Sequence, residues 1–316
     1  MKVSVVGCGR WGSFIAWYLD KIGHSVTLYG RPSSKNIQQL LQSRTNGTVT
    51  LNEGISLTTN LADVVLSDTI VISVSSQSLR SVMQQLTEYD ISHKTFVLCM
   101  KGIEVETGKR LSQIVAEYTD AKTAVWIGPG HVQEFVRKIP NCMVIDSADF
   151  ETTQLLVSEF SSELIRFYYG SDLLGNEIGA AAKNVVGIAA GMLDGLGLSS
   201  LKGALMSRAP REIARLIKAM GGNELSVYGL CHLGDYEATV FSKYSHNRRF
   251  GEAFVKGEEY TELAEGYYTV KALILLSKQY GVELPVCQAV YDMLYKKADV
   301  STVFQNIFFR SLKQEF

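Results

Sequence analysis

Gly7-Cys8-Gly9-Arg10-Trp11-Gly12 stands between an apolar run, Lys2 to Val6, and a helical pattern, Phe14 to Ile22. Strand, glycine turn and helix start in that order make a cradle for phosphate. Gly7 permits the tight turn, Gly9 lets the backbone approach a pyrophosphate with no Cβ in the way, and Gly12 lets the helix close on the strand. The helix N-terminus aims free N–H groups and a partial positive charge at the same place. The turn is therefore a candidate dinucleotide site, with Arg10 and Trp11 beside the ligand.

A chain of 316 residues exceeds the size at which one hydrophobic core keeps growing, so two domains are expected. Up to about residue 170, β-rich runs alternate with helical patterns. The strand candidates are Val3 to Val6, Ser25 to Tyr29, Thr69 to Val74, Thr95 to Met100, Thr123 to Ile127, Met143 to Ile145 and Ile165 to Tyr168. Helix-like segments such as Leu79 to Leu86 and Leu111 to Tyr118 lie between several of them. A Rossmann-type, mostly parallel sheet covered on both faces follows, and its near-continuous apolar strands fit burial on both sides. After Tyr169 the texture becomes helical, as in Ile178 to Leu193, Leu205 to Met220 and Val270 to Tyr280. Pro210 places the start of the second of these helices near itself. The expected division is 1–172 for the dinucleotide and 173–316 for an all-α substrate domain. No long linker separates the halves, so they should share one interface, where small-molecule sites usually lie. The most apolar helical stretch, Val185 to Leu198, is interrupted by Asp194 and several glycines. It reads as a buried core helix that is too short to span a bilayer.

With 31 basic and 32 acidic side chains, the net charge of −1 gives no general field for nucleic acid or an anionic membrane. An anionic ligand must be gripped by a local cluster. Cys8, Cys99, Cys142, Cys231 and Cys287 are scattered singly, as thiols of a reducing compartment are, and the N-terminus lacks the regions of a signal peptide. A cytoplasmic location is expected. His24, His93, His131, His232 and His246 show no metal-ligand spacing, and no metal is expected.

A site that prefers NAD places Asp or Glu at the end of the second strand, on the ribose 2′-hydroxyl. Here that strand ends Leu28-Tyr29-Gly30-Arg31, and Ser33, Ser34 and Lys35 follow with no carboxylate. Arg31 suits a 2′-phosphate, which points to NADP over NAD; the plainer alternative is a solvated arginine on a surface loop. In the second half, Lys183 lies among small and apolar helical neighbours, Ile178 to Ala182 and Val185. Desolvation there disfavours its charged form and suits it to proton transfer, whereas an ordinary lysine would snorkel or pair with Glu177. Lys101, after a strand, should emerge at the carboxyl edge of the sheet. Gly128-Pro129-Gly130-His131 opens a helical pattern and offers backbone N–H groups to an anion. Leu233-Gly234-Asp235 and Ser245-His246-Asn247-Arg248-Arg249-Phe250-Gly251 add a carboxylate and a donor-rich turn.

These residues resemble the bacterial-type NAD(P)-dependent glycerol-3-phosphate dehydrogenases. The glycine turn, Lys101-Gly102, Gly128-Pro129, Lys183-Asn184 with Gly191 to Gly197 behind it, and Leu233-Gly234-Asp235 with Thr239 stand in the family's order and approximate spacing. So do Asn247-Arg248-Arg249-Phe250-Gly251, Ala264-Glu265-Gly266 and Glu283-Leu284-Pro285, so the likeness spans nearly the whole chain. The resemblance implies reversible hydride transfer between NAD(P)H and dihydroxyacetone phosphate, giving sn-glycerol 3-phosphate, a phospholipid precursor. It implies Lys183 as the general acid/base, Lys101 as a cation near substrate and nicotinamide, and Asp235 and Thr239 as groups that orient the reacting carbonyl and its neighbouring hydroxyls. Ser245, His246, Asn247 and Arg248, with Gly128 and Gly130, fall on the substrate; Val132 and Glu265 fall on the cofactor.

Two positions depart from the family. His246 stands where Arg is usual, replacing a permanent two-pronged charge with an imidazole only partly protonated near neutrality. Gly130 stands where Ser or Asn is commoner. Two other readings remain open: a related dehydrogenase of the ketopantoate or β-hydroxyacid type, and a catalytically silent NAD(P)-binding sensor. Val303 to Leu312, rich in Phe and Ile at helical spacing, is a candidate contact for a second subunit in a homodimer, or a helix docked on its own domain.

Overall fold

The structure is a computed structural model that describes residues 1–308. It separates into two compact units: Met1–Lys101 with Lys109–Glu177, and Gly102–Gly108 with Ile178 onward.

The first unit holds eight strands, β1 (Lys2–Val6), β2 (Ser25–Tyr29), β3 (Ser56–Thr58), β4 (Thr69–Ile72), β5 (Thr95–Leu98), β6 (Lys122–Ile127), β7 (Asn141–Ser147) and β8 (Ile165–Tyr169). They form one sheet in the order β3-β2-β1-β4-β5-β6-β7-β8, and only the β6–β7 pairing is antiparallel. Its helices are α1 (Arg10–Lys21), α2 (Lys35–Ser43), α3 (Leu61–Val64), α4 (Leu79–Leu86), α5 (Leu111–Ala116), α6 (Val132–Val136) and α7 (Phe150–Phe160). Register places Leu28, Val5, Val71, Val97 and Ala124 in one row across five parallel strands, and all five are buried. Each Val or Leu side chain of that row contributes about 1.5–3 kcal/mol by leaving water. Strand order reverses at β1, so the crevice beyond the carboxyl ends of β1 and β4 is the switch point where open α/β sheets take ligands.

The expected Rossmann-type, mostly parallel sheet is present. Sequence did not show β3, whose three residues at the sheet edge are too few to leave a period, nor the reversed direction of β7, because alternation carries no polarity.

The helices that follow are α8 (Leu173–Gly195), α9 (Lys202–Ala219), α10 (His246–Lys256), α11 (Glu265–Tyr280), α12 (Pro285–Lys296) and α13 (Val300–Phe308). Every residue of α8 from Gly175 to Leu193 is buried, the polar Asn176, Glu177, Lys183 and Asn184 included. No helix of the described residues is long and apolar enough to cross a membrane. A Cβ on Gly191 would lie 1.9 Å from the Arg248 carbonyl oxygen, and one on Gly251 would lie 2.1 Å from that of Ile188. Backbone therefore meets backbone where α8 crosses α10.

Pro210 does not begin its helix as expected but sits inside α9. It breaks one rung of the hydrogen-bond ladder, yet its ring is buried on the same stripe as Leu205, Ala209, Ile213, Leu216 and Ile217. Packing of that stripe outweighs the local penalty. Part of Val303 to Leu312 lies outside the described residues.

Candidate active site

At the glycine turn, two of the three glycines are demanded by the protein's own packing. Gly7 has φ +111° and a Cβ there would lie 2.2 Å from the Ser73 carbonyl oxygen; a Cβ on Gly12 would lie 1.8 Å from that of Gly7. A Cβ on Gly9 meets nothing within 4 Å. Gly9 is the N-cap of α1, extended, and no side chain caps the helix end. A cradle that one methyl group would fill, in front of an N-terminus without a side-chain cap, fits a dinucleotide pyrophosphate. Arg10 is exposed beside it. Trp11 packs its ring on Phe14 at 5.2 Å and on Phe135 at 6.2 Å, and its backbone N–H is a first-turn donor. Arg31 is exposed two residues beyond β2, and its carbonyl accepts from the Ser34 amide at 2.8 Å.

Lys101 and Gly128 lie just past the carboxyl ends of the neighbouring strands β5 and β6. The Lys101 Nζ donates to the Gly128 carbonyl at 2.6 Å. Gly130, at φ +147°, would place a Cβ 2.4 Å from the Phe135 ring, which stacks on Phe14 at 5.0 Å. A serine or asparagine has no room there: the aromatic ring has taken its place. Val132 opens α6 with its side chain in the apolar core, which leaves its backbone for any ligand.

In the second unit Lys183 is 7% exposed. Its Nζ lies 2.8 Å from the Asp235 carboxylate and donates to the Thr239 hydroxyl at 2.7 Å. Asp235 and Thr239 are each 1% exposed. A short 3-10 turn, Leu233–Asp235, presents the carboxylate, and a single π-helical turn, Glu237–Phe241, presents the hydroxyl. The buried carboxylate stabilises the ammonium against desolvation. Pairing of Lys183 with Glu177 is absent; Glu177 instead holds the Arg110 guanidinium and the Ser112 amide and hydroxyl. A desolvated ammonium with a fixed counter-ion and an adjacent hydroxyl is equipped to give a proton to an oxygen.

Beyond it, Ser245 caps α10 by accepting from the Arg248 amide at 3.3 Å. The Asn247 amide donates to Asn184 at 3.0 Å and accepts from the Gly266 N–H at 2.9 Å, next to Glu265 at the start of α11. His246 Nδ1 lies 2.9 Å from the Tyr260 hydroxyl and 3.0 Å from the Arg249 guanidinium. Arg248 is held by a carboxylate. Its Nε donates to Asp194 at 2.6 Å, and the same carboxylate oxygen holds Lys202 at 2.6 Å. Asp194 is eleven residues after Lys183, roughly 16 Å along α8, and sequence spacing did not connect it to Arg248.

Structure thus brings together Lys183, Asp235 and Thr239, and ties Asn247 to α8 through Asn184. Sequence reasoning passed over Asn184, Arg249 and His232. The first two stand inside quoted motifs. His232 is fully buried, and burial holds its imidazole down at about 4 and hence neutral. Its position three residues before Asp235 was the available signal.

Two sequence profiles match the chain: NAD-dependent glycerol-3-phosphate dehydrogenase N-terminus over residues 2–153, and the C-terminus of the same enzyme over 172–305. The chain is 34% identical to glycerol-3-phosphate dehydrogenase [NAD(P)+] of Thermoanaerobacter sp., covering 100% of this chain and 99% of that one. It is 33% identical to the same enzyme of Pelodictyon phaeoclathratiforme, with 100% and 99% covered. Among solved structures it superposes on glycerol-3-phosphate dehydrogenase of Coxiella burnetii with a TM-score of 0.92 at 24% identity, covering 98% of this chain and 99% of that one.

Proposed function

The chain belongs to the NAD(P)-dependent glycerol-3-phosphate dehydrogenase family, and from that premise we infer which of its residues do the work. The enzyme reversibly reduces dihydroxyacetone phosphate to sn-glycerol 3-phosphate with NAD(P)H. The bound nicotinamide supplies the hydride for C2.

The carbonyl oxygen needs a proton, and we assign that proton to the Lys183 ammonium. The carrying observation is the buried triplet of Lys183, Asp235 and Thr239. Asp235 holds the ammonium charged and pointed, and Thr239 is the hydroxyl through which the amine and the substrate oxygen are kept in line. Lys101, tethered to Gly128, adds a second cation for the developing alkoxide. Ser245, His246 and Asn247, with backbone of Gly128 and Gly130, are assigned to the phosphorylated substrate. Arg248, whose Nε is held by Asp194, is assigned there too, and Arg249 adds a second guanidinium beside His246. Gly7, Gly9, Arg10, Trp11, Gly12, Val132 and Glu265 are assigned to the cofactor, and Arg31 to a 2′-phosphate, making NADP the preferred form. Residues 1–172 then serve the dinucleotide and 173–316 the substrate. The absence of disulfides among five thiols supports a cytoplasmic enzyme, and a homodimer is the assembly we propose.

The test is steady-state oxidation of NADPH and of NADH with dihydroxyacetone phosphate, beside unphosphorylated dihydroxyacetone and ketopantoate. The expected outcome is a kcat/KM for the phosphorylated ketone at least about 100-fold above either alternative, since charge-assisted contacts to phosphate are worth roughly 3 kcal/mol together. Equal use of dihydroxyacetone would overturn the assignment of the 245–249 turn.

A further inference from the structure

We infer that His232 is a positioning residue for proton transfer, its ring clamping the Asp235 turn to α8 one helical turn before Lys183. The inference rests on Lys183 being the acid. His232 Nδ1 lies 2.8 Å from the Gly179 carbonyl and Nε2 lies 2.8 Å from the Tyr236 hydroxyl. A carbonyl can only accept, so Nδ1 carries the hydrogen, and Nε2 takes the Tyr236 O–H. In the neutral ring that burial imposes, the two bonds fix this one tautomer. Its partner Tyr236 is 1% exposed and packs edge-on to the imidazole at 5.0 Å.

Geometry connects this pair to the reacting amine. Gly179 and Lys183 are four residues apart on α8 and so share one face. A Cβ on Gly179 would sit 3.2 Å from His232 Cβ and 3.2 Å from Cys231 Sγ, so the turn is pressed against the helix at that residue. The Asp235 amide donates to the His232 carbonyl at 3.1 Å, which closes the turn on which the Asp235 carboxylate is mounted. His232 and Tyr236 therefore flank Asp235 on both sides in sequence and pin it 2.8 Å from the Lys183 Nζ. The charged and titratable groups facing the ring are Lys183 from α8 and Asp235, Tyr236 and Cys231 from its own segment. An imidazolium there would have to donate from Nε2, turning the Tyr236 hydroxyl into the acceptor, and would stand beside an ammonium; the neutral ring keeps the Tyr236 O–H as donor and avoids that second charge.

Loss of the clamp frees Asp235 to drift, and a misplacement of about 1 Å costs up to roughly 100-fold in rate. With less counter-charge at the amine, the ammonium is also lost at lower pH. The experiment is the pH profile of kcat for dihydroxyacetone phosphate reduction under saturating NADPH in wild type, His232→Ala, His232→Asn, Tyr236→Phe and Lys183→Ala. In His232→Ala the expected result is kcat lower by about 10- to 100-fold, a basic limb moved about half a pH unit or more downward, and both KM values within threefold. Asn keeps the donor to Gly179, so His232→Asn should recover most of the rate and the limb. A folded His232→Ala with an unmoved limb, or an Asn variant no better than Ala, overturns the inference. Should the Ala variant not fold, Tyr236→Phe carries the test: it removes only the hydroxyl, and a limb that stays in place overturns the inference equally. Lys183→Ala separates the two ideas. If it retains turnover, the acid assignment fails; if it is inactive while the His232 variants keep the wild-type limb, only the clamp fails.

Discussion

The two regions proposed to face ligands in this enzyme are built from different materials. The cofactor turn is backbone: Gly7 and Gly12 exist so that main chain can touch main chain, and Gly9 exists so that main chain can touch something else. The cluster proposed to donate the proton is side chain, a buried ion pair with a hydroxyl drawn from residues 183, 235 and 239. A backbone site is written in a few consecutive residues and tolerates little beyond glycine. A side-chain site is written in scattered residues and depends on what surrounds each charge.

The sharpest way to break this contrast is at the amine. Lys183→Ala should lower kcat by about two to four orders of magnitude while NADPH titration stays near wild type. It also strands the Asp235 carboxylate in the interior, so a thermal melt should show a loss of stability as well. Turnover near wild type would mean that the cluster is structural.

Next come the glycines, where the contrast predicts a split. Gly9→Val should leave the melting temperature within a few degrees of wild type and raise the dissociation constant for NADPH by about 100-fold, because the new side chain enters the cradle rather than the protein. Gly7→Val should fail at folding instead, with its Cβ driven to 2.2 Å from the Ser73 carbonyl oxygen. Equal loss of stability in the two variants would erase the distinction.

A smaller effect is expected at Arg31, a side chain on the backbone site. Arg31→Ala should lower kcat/KM for NADPH by about tenfold and leave NADH unchanged, as loss of one charge-assisted phosphate contact does.

The smallest effect is on stability alone. Glu212 of α9 accepts from the Val286 and Cys287 amides at the start of α12, and burial pushes its carboxyl up to about 7 from 4.5. The folded state therefore holds this proton more tightly than the unfolded chain does. Its contribution is fully present below pH 4.5 and is lost as pH rises through 7, by at most about 3 kcal/mol. Melting temperatures of wild type and Glu212→Gln should thus converge by a few degrees between pH 5 and 7.5; parallel curves would refute the coupling.

The same contrast explains what was legible in the sequence. Gly7 to Gly12 could be read outright because the turn, its strand and its helix are contiguous. The parallel strands were visible through their unbroken apolar runs, whereas β3 was too short and the direction of β7 leaves no trace in alternation. Lys183 stood out as one charge in an apolar helix, but its partner could not be chosen from spacing: Glu177 was nearer in sequence, and Asp235 is the residue the fold delivers. The carboxylate that Arg248 meets was hidden for the same reason, since Asp194 and Lys202 come together with it only in three dimensions. Pro210 followed its local rule in the reading and broke it in the fold because a buried stripe decided the matter.

The meeting of Gly191 with the Arg248 carbonyl, and of Gly251 with that of Ile188, leaves no slack in the main chain beneath the 245–249 turn. Natural drift in ligand preference is then confined to swapping the groups that project from those five positions. A histidine for an arginine is the sort of change such a fixed mount permits, because the scaffold under it has nowhere to go.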